Sequence, residues 1–466
     1  MFVYCTCIIL ADVCCIFQKV IKIELKCMVN KKKNKTISVG MIDADLIDGG
    51  TRHPNLAQMK ISSYCKSRGC HVKLLFNADD ISSVESFDVV IISKVFTFTD
   101  LPRLLSTAIN GKESELNRDI VELIDTCSNT PGITQYAIGG TGFFCDGGRH
   151  LNDVIEHMMP DYSLYLEYVN TQIEAGCKRS RFADYLDYSI GFTSRGCFRG
   201  CEFCVNKYGE RRSRKHSPVE EFYDPDRKCI YLWDDNFFAC KDWEAILDEL
   251  DATGRPFQFR QGLDVRLLTE KKAERLSRCK YHGDVIFAFD HVDDFQLISS
   301  RLRLWSKYNK RETKIYLICA FDSFTYTSLD KISRLDSPYL IKMAELTDHR
   351  AREQMDIEYL FERIRVCMYY DCLPYVMRYE AYKQSEYKGL YIQIARWCNQ
   401  PSIFKKMSFR EFCFANQDYS KSDRTCSSMR AYNQFVNDRP DIADRYFDMK
   451  FRFRDTISDG IWDLND

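Results

Sequence analysis

Residues 194–206 read Ser-Arg-Gly-Cys-Phe-Arg-Gly-Cys-Glu-Phe-Cys-Val-Asn, and the spacing of Cys197, Cys201 and Cys204, Cys-x3-Cys-x2-Cys, decides how the rest of the chain is read. A structural zinc site is closed by four Cys or His ligands, and a cubane iron–sulfur cluster takes four thiolates. Three thiolates leave one iron open. Gly196 and Gly200 allow backbone dihedrals denied to other residues, so the loop can wrap closely around a bulky inorganic core. Phe203 sets an aromatic wall just before the last thiol. The same residues also read as an incomplete zinc knuckle or as three unrelated core cysteines, since free Cys packs as a small apolar side chain.

With an aromatic residue between its second and third cysteines, the loop resembles that of the radical SAM superfamily. The resemblance implies that Cys197, Cys201 and Cys204 ligate a [4Fe–4S] cluster whose open iron chelates the amino and carboxylate groups of S-adenosylmethionine. It implies reductive cleavage of that molecule to a 5′-deoxyadenosyl radical, an external electron donor such as a flavodoxin or ferredoxin, and Phe203 packed near the adenine. Neither a substrate nor a catalytic residue follows from it.

At 466 residues the chain has room for two or three domains. A hydrophobic content of 45%, a charged content of 29% and a mean hydropathy of −0.36 describe a soluble globular protein, not a membrane or disordered one. The formal net charge of −1 gives no global pull toward nucleic acid. The 22 cysteines are scattered and form no dense disulfide framework, which places the chain in a reducing cytoplasm. Residues 1–35 are an uncertain N-terminal extension. Their apolar start, holding Cys5, Cys7, Cys14 and Cys15 and broken by Asp12, lacks the marks of a secretory signal. It is also shorter than the roughly 20 residues that span a bilayer, so no membrane partner is expected, and Met28 reads as an ordinary start.

Over 36–160, short apolar runs at 37–42, 72–76, 89–92 and 133–138 alternate with segments such as the helical 55–66. That pattern implies an α/β domain with a doubly wound parallel sheet. Such a domain ahead of the cysteine loop resembles the cobalamin-binding or cobalamin-binding-like domain of one radical SAM branch. The ligand motif Asp-x-His-x-x-Gly is missing, with His53 the nearest candidate, so cobalamin is possible but not favoured and the domain is read as degenerate. Cys65, Cys70, Cys127 and Cys145 do not match the second cluster of methylthiotransferases. Residues 161–187 read as a linker.

Over 188–380, six strand candidates at 188–193, 229–233, 257–260, 284–289, 314–319 and 374–379 predict a partial (β/α)6 barrel as the radical SAM core. Between them, Ser217-Pro218-Val219-Glu220 has the elements of a helix capping box. Trp243, Ile246, Leu247 and Leu250 make a helical apolar stripe. Residues 381–466 are expected to form a mainly helical extension covering the pocket.

In α/β barrels the chemistry sits at the C-terminal strand ends, and the cysteine loop follows the first strand. Asp234, Asp235 and Asn236 end the second, where the resemblance puts contacts to the methionine amino group; a helix N-cap uses the same residues. Gln258 and Arg260 share one side of the third strand. An inward Arg needs an anion, which the methionine carboxylate or a substrate acid supplies. Asp290 ends the fourth strand facing the ribose hydroxyls, though any of these charges serves equally in an internal salt bridge. The basic run 207–216, with Arg211, Arg212, Arg214 and Lys215, reads first as a solvated loop and second as a seat for a phosphate-bearing or nucleic-acid ligand. Two other functions stand beside the main one. They are cobalamin-dependent methyl transfer, and non-catalytic nucleic-acid binding by a cluster or zinc protein, which requires a fourth protein ligand and salt-sensitive binding.

Overall fold

Strands buried on both faces read as unbroken apolar runs, as do the two central strands of the four-stranded sheet that opens the described chain. The computed structural model describes residues 36–127, 132–332, 337–415, 417 and 424–451, so the N-terminal extension expected over 1–35 lies outside the described residues. The chain divides into two units, one ending at Tyr185 and the other beginning at Leu186. In the first, β1 (Ser38–Asp43), β2 (His71–Leu74), β3 (Val89–Ser93) and β4 (Gln135–Gly139) form a parallel sheet in the order β2-β1-β3-β4. The helix Leu56–Ser67 returns from β1 to β2, capped by the Asn55 side chain, which accepts from the Gln58 amide at 3.2 Å. Strand order reverses between β1 and β3, the switch point of a doubly wound sheet.

At that switch point Asp43 ends β1, only 2% exposed, and accepts a hydrogen bond from the Tyr165 hydroxyl at 2.9 Å. Tyr165 lies in the stretch expected as a linker, and that expectation is corrected. Residues 161–185 are folded against the sheet, with the helix Leu166–Glu174 and the buried side chains Tyr165, Val169, Phe182 and Tyr185. Four well-spaced apolar residues gave this polar-looking stretch a face to bury.

In the second unit, β5 (Tyr188–Gly191) is followed by the two-residue β6 (Ser194–Arg195) and β7 (Arg214–Lys215), which pair antiparallel with each other. Then come β8 (Cys229–Leu232), β9 (Phe257–Phe259), β10 (Val285–Ala288), β11 (Thr313–Cys319) and β12 (Cys372–Arg378). The parallel sheets β5-β8-β9 and β10-β11-β12 are joined where the Leu263 amide donates to the Ile286 carbonyl at 2.8 Å. Six parallel strands thus run in chain order, a partial (β/α)6 barrel. Ile230, Leu232, Phe257 and Phe259 share a core with Ile246, Leu247 and Leu250 of the helix Trp243–Ala252. By alternation, Tyr231, Gln258 and Arg260 take the other side, where Arg260 lies over the Tyr231 ring.

One local expectation fails for a visible reason. The capping-box sequence yields a single 3-10 turn, Val219–Glu221. Phe222 is drawn under Gly191, where an added Cβ would lie 2.2 Å from its ring, and Pro225 disfavours helix at the residue before it. The described C-terminal helices pack on the barrel. Lys388–Cys398 packs on β12, and Trp397, Phe404, Phe409 and Phe412 enter the same core as the long helix His349–Tyr369. Among the described residues no helix is long and apolar enough to cross a membrane.

Burial pushes Asp43 up to about 7, with the Tyr165 hydrogen bond opposing and Asp45 adding to the rise. An unfolded Asp titrates near 3.9, so between these values the folded chain holds an extra proton. Stability therefore falls as pH rises through that window, and the penalty is complete above it. Asp43→Asn should remove this slope and stabilise the first unit by on the order of 2–4 kcal/mol at alkaline pH, read by urea unfolding at successive pH values.

Candidate functional site

The turn from β5 into the cysteine loop is held by one carboxylate. Asp234 is 4% exposed and accepts four hydrogen bonds: from the Thr193 amide at 3.1 Å, the Thr193 hydroxyl at 2.6 Å, the Ser194 amide at 2.6 Å and the Ser194 hydroxyl at 2.7 Å. Burial pushes its carboxyl up while these donors pull it down. Next to it, Asp235 accepts from the Gly196 amide at 2.8 Å. Both residues, expected at a ligand's ammonium, are engaged with the loop's own backbone.

The loop is also pinned from its far side. The Cys197 amide donates to the Glu210 carbonyl at 2.9 Å, and β6 pairs with β7 at Ser194 and Arg195. Gly196 (φ +100°) faces the Arg212 carbonyl so closely that a Cβ there would stand 2.3 Å from its oxygen. The basic run expected to be a solvated loop is thus partly a strand registered on the cysteine loop.

Asn236 Nδ2 reaches Cys197 Sγ at 3.6 Å and Asp264 Oδ2 at 3.5 Å. Asp264 takes Arg199 Nε at 2.7 Å on one oxygen and Arg266 Nε at 2.7 Å on the other, and Arg266 extends to Asp294 at 2.7 Å. Burial opposes ionisation of Asp264, but Arg266 and Arg199 outweigh it and hold the carboxyl below its usual range. This hub was missed in the sequence. Its signal was an Asp-x-Arg pair just past the third strand, which looks like a turn's own salt bridge.

Cys197, Cys201 and Cys204 are free thiols, half-buried on the loop. Burial pushes Cys201 up to about 11, with Asp290 and the two neighbouring thiols adding and Arg266 opposing. Burial raises Cys204 as well. Phe203 packs edge-on to Phe321 at 5.5 Å and lies 6.0 Å from the His291 ring. Asp290 is pushed up by burial to about 6, against Arg363 and Arg266. Arg260 donates to Gln258 Oε1 at 3.2 Å, which puts both on the side expected of them.

Among the described residues no three His, Cys, Asp or Glu side chains are gathered about one point as a single metal ion requires. A cubane, by contrast, takes each thiolate on a different iron, and three partly exposed thiols on a glycine-turned loop are that kind of donor set. Two buried acceptors stand near them without a partner among the described residues, Asn236 Oδ1 and Asp290 Oδ1. An unpaired buried acceptor is costly, so the site is short of donors. A ligand bearing an amino group and hydroxyls supplies them.

No family model matches the chain, and no curated protein is similar to it. Among solved structures it is similar to the cobalamin-dependent S-adenosylmethionine radical enzyme OxsB with aqua-cobalamin and S-adenosylmethionine bound, at 14% identity over 70% of this chain and 56% of that one, with a TM-score of 0.36. It is also similar to the radical S-adenosylmethionine methyltransferase TsrM from Kitasatospora setae with cobalamin and a [4Fe–4S] cluster bound, at 10% identity over 61% of this chain and 70% of that one, with a TM-score of 0.38. Both are radical SAM enzymes with cobalamin bound. This chain spans 56% of the length of OxsB.

Asp234→Ala removes all four anchors and should destabilise the second unit by about 3 kcal/mol, whereas Asp235→Asn should cost under about 1 kcal/mol. Gly196→Ala should free β7 without unfolding the barrel. Urea unfolding reads the first pair of effects, and hydrogen exchange at Arg214 and Lys215 reads the last.

Proposed function

We propose that the chain is a radical SAM enzyme whose second unit binds a [4Fe–4S] cluster through Cys197, Cys201 and Cys204. The observation that carries this reading is a pre-formed loop of three free thiols at the C-terminal end of the first barrel strand, beside two buried acceptors that lack donors. When bound, the cluster supplies the electron that cleaves S-adenosylmethionine to a 5′-deoxyadenosyl radical. Asn236 Oδ1 and Asp290 Oδ1 accept from the ligand's amino group and ribose hydroxyls. Arg260 meets a carboxylate, and Phe203, backed by Phe321, walls the adenine. Asp234 and Asp235 hold the loop and do not touch the ligand. The barrel side chains and the loop exclude water from a radical that would otherwise be quenched.

One observation in the first unit favours a further cofactor there. His53 Nδ1 meets the Asp184 carboxylate, the arrangement by which an acid fixes an imidazole for metal ligation. Cobalamin on His53 would make methyl transfer available to the chain. Hydroxocobalamin added to the purified chain should then show a ligand-dependent spectral change that His53→Ala abolishes.

For the main reading, the chain purified without oxygen and reconstituted should carry one four-iron cluster. With reductant and S-adenosylmethionine it should release 5′-deoxyadenosine, and Cys201→Ala should abolish both cluster and product. A loaded cluster whose spectrum S-adenosylmethionine does not perturb would overturn the reading in favour of a binding protein.

A further inference from the structure

Beside the cysteine loop lies a cavity of about 360 Å³ whose lining includes Phe198, Arg211, Arg212, Phe238, Lys241 and Leu267. No carboxylate lines it. Among the described residues Arg211, Arg212 and Lys241 enter no ion pair, and the nearest acid on the same arm, Glu210, is paired with Arg214 at 2.6 Å. Glu210 also lies near Arg212, so one carboxylate already held by Arg214 is shared, and the cations that outnumber it repel one another.

Arg211 is also held in place. β7 fixes the arm against the cysteine loop, and the Arg211 guanidinium lies on the open face of Gly200, where a Cβ would stand 2.4 Å from it. Gly200 (φ +62°) directly precedes Cys201, and Phe198 directly follows Cys197. The cavity wall is therefore the outer surface of the stretch that carries two of the three thiols. Phe198 is 48% exposed, and Val205 and Tyr208 on the same loop are exposed as well. An apolar centre ringed by arginine and lysine is the composition of a protein-docking patch.

We propose that this patch is the docking surface for a small acidic one-electron carrier protein. The proposal rests on the radical SAM reading above and adds the partner of the same site. The chain's net charge is only −1, so attraction of an acidic partner has to come from a local patch such as this one. Complementary charge steers such encounters and fixes their orientation. The step is one electron: a reduced low-potential ferredoxin or flavodoxin hydroquinone loses it, and the cluster goes from the 2+ to the 1+ state. No bond is made and no proton need move.

The test uses the full chain, reconstituted without oxygen, and follows bleaching of the cluster by stopped flow. The probe is a reduced acidic [2Fe–2S] ferredoxin, and reduced methyl viologen, a small cation, serves as the independent reductant. The triple variant Arg211→Glu, Arg212→Glu, Lys241→Glu should be reduced by the ferredoxin at least tenfold more slowly than the wild type. The milder Lys241→Glu, which leaves the loop contacts intact, should be slowed about threefold. Reduction by methyl viologen should not slow in either. Wild-type affinity for the oxidised ferredoxin, measured by thermophoresis, should fall with salt, and the triple variant should show no such dependence.

Equal ferredoxin rates in wild type and variants overturn the proposal, as does a wild-type cluster that methyl viologen reduces and ferredoxin does not. Salt-sensitive binding of single-stranded DNA to the wild type alone, with ferredoxin rates unchanged, overturns it in favour of a nucleic-acid partner. A chain that assembles no cluster overturns the radical SAM reading, and the docking proposal with it.

Discussion

The candidate site depends on a buried carboxylate engaged with the chain's own turn. Asp234 collects two amide and two hydroxyl donors from Thr193 and Ser194, so the chain leaving β5 can take only one path. Everything downstream follows from that path: Gly196 is delivered to Asp235, β6 is delivered to β7, and the three thiols stand at the barrel's C-terminal rim. Neutral turn residues would not do the same work. A carboxylate accepts several bonds at once, and those to a charged group are the stronger kind.

A second constraint is the crowding of buried carboxyls below the loop. Arg363 is the cation that burial sets among Asp290, Asp322 and Asp356, and it already donates to the carbonyls of Phe289 and Asp290 at 3.2 and 3.0 Å. Burial pushes Asp322 up to about 7, with Asp356 adding to the rise and Arg363 opposing it. Burial raises Asp290 and Asp356 as well, with Arg363 opposing the rise in each and Arg266 adding its opposition at Asp290. The Ala320 backbone shows the cost of the arrangement: it takes φ +60°, a conformation L-residues avoid, while its amide donates to Asp356 at 2.9 Å.

The strands and the thiol loop were legible because they rest on local patterns. Unbroken apolar runs gave both sheets, and the spacing of three cysteines with two glycines gave the loop. The roles of Asp234 and Asp235 were not legible. A carboxylate after a strand serves a ligand and a backbone turn equally well, and what decides between them is a tertiary contact with residues some 40 positions earlier in sequence. The same holds for Tyr165, whose partner Asp43 is 122 residues away. A polar stretch with a few spaced tyrosines looks like a linker until the surface it covers is known. The box at 217–220 failed differently, since its local helix signal was real but Phe222 had a deeper place to go.

The cysteine loop therefore carries a different field on each face. Toward the barrel stand Asn236 and Asp290, each with an acceptor unfilled, beside Asp264, whose charge Arg199 and Arg266 already meet. On its other face stand Arg211, Arg212 and Lys241, with no acid lining their cavity. With a net charge of −1 over the whole chain, neither field is a by-product of composition; each is a local placement. A cationic ligand on the inner side would draw Asp290 toward ionisation and relieve the burial cost that now raises its pKa. Anionic groups on the outer side would relieve the mutual repulsion of the three cations. The loop is tied on one side by Asp234 and on the other by β7, so the fold itself keeps the two faces apart.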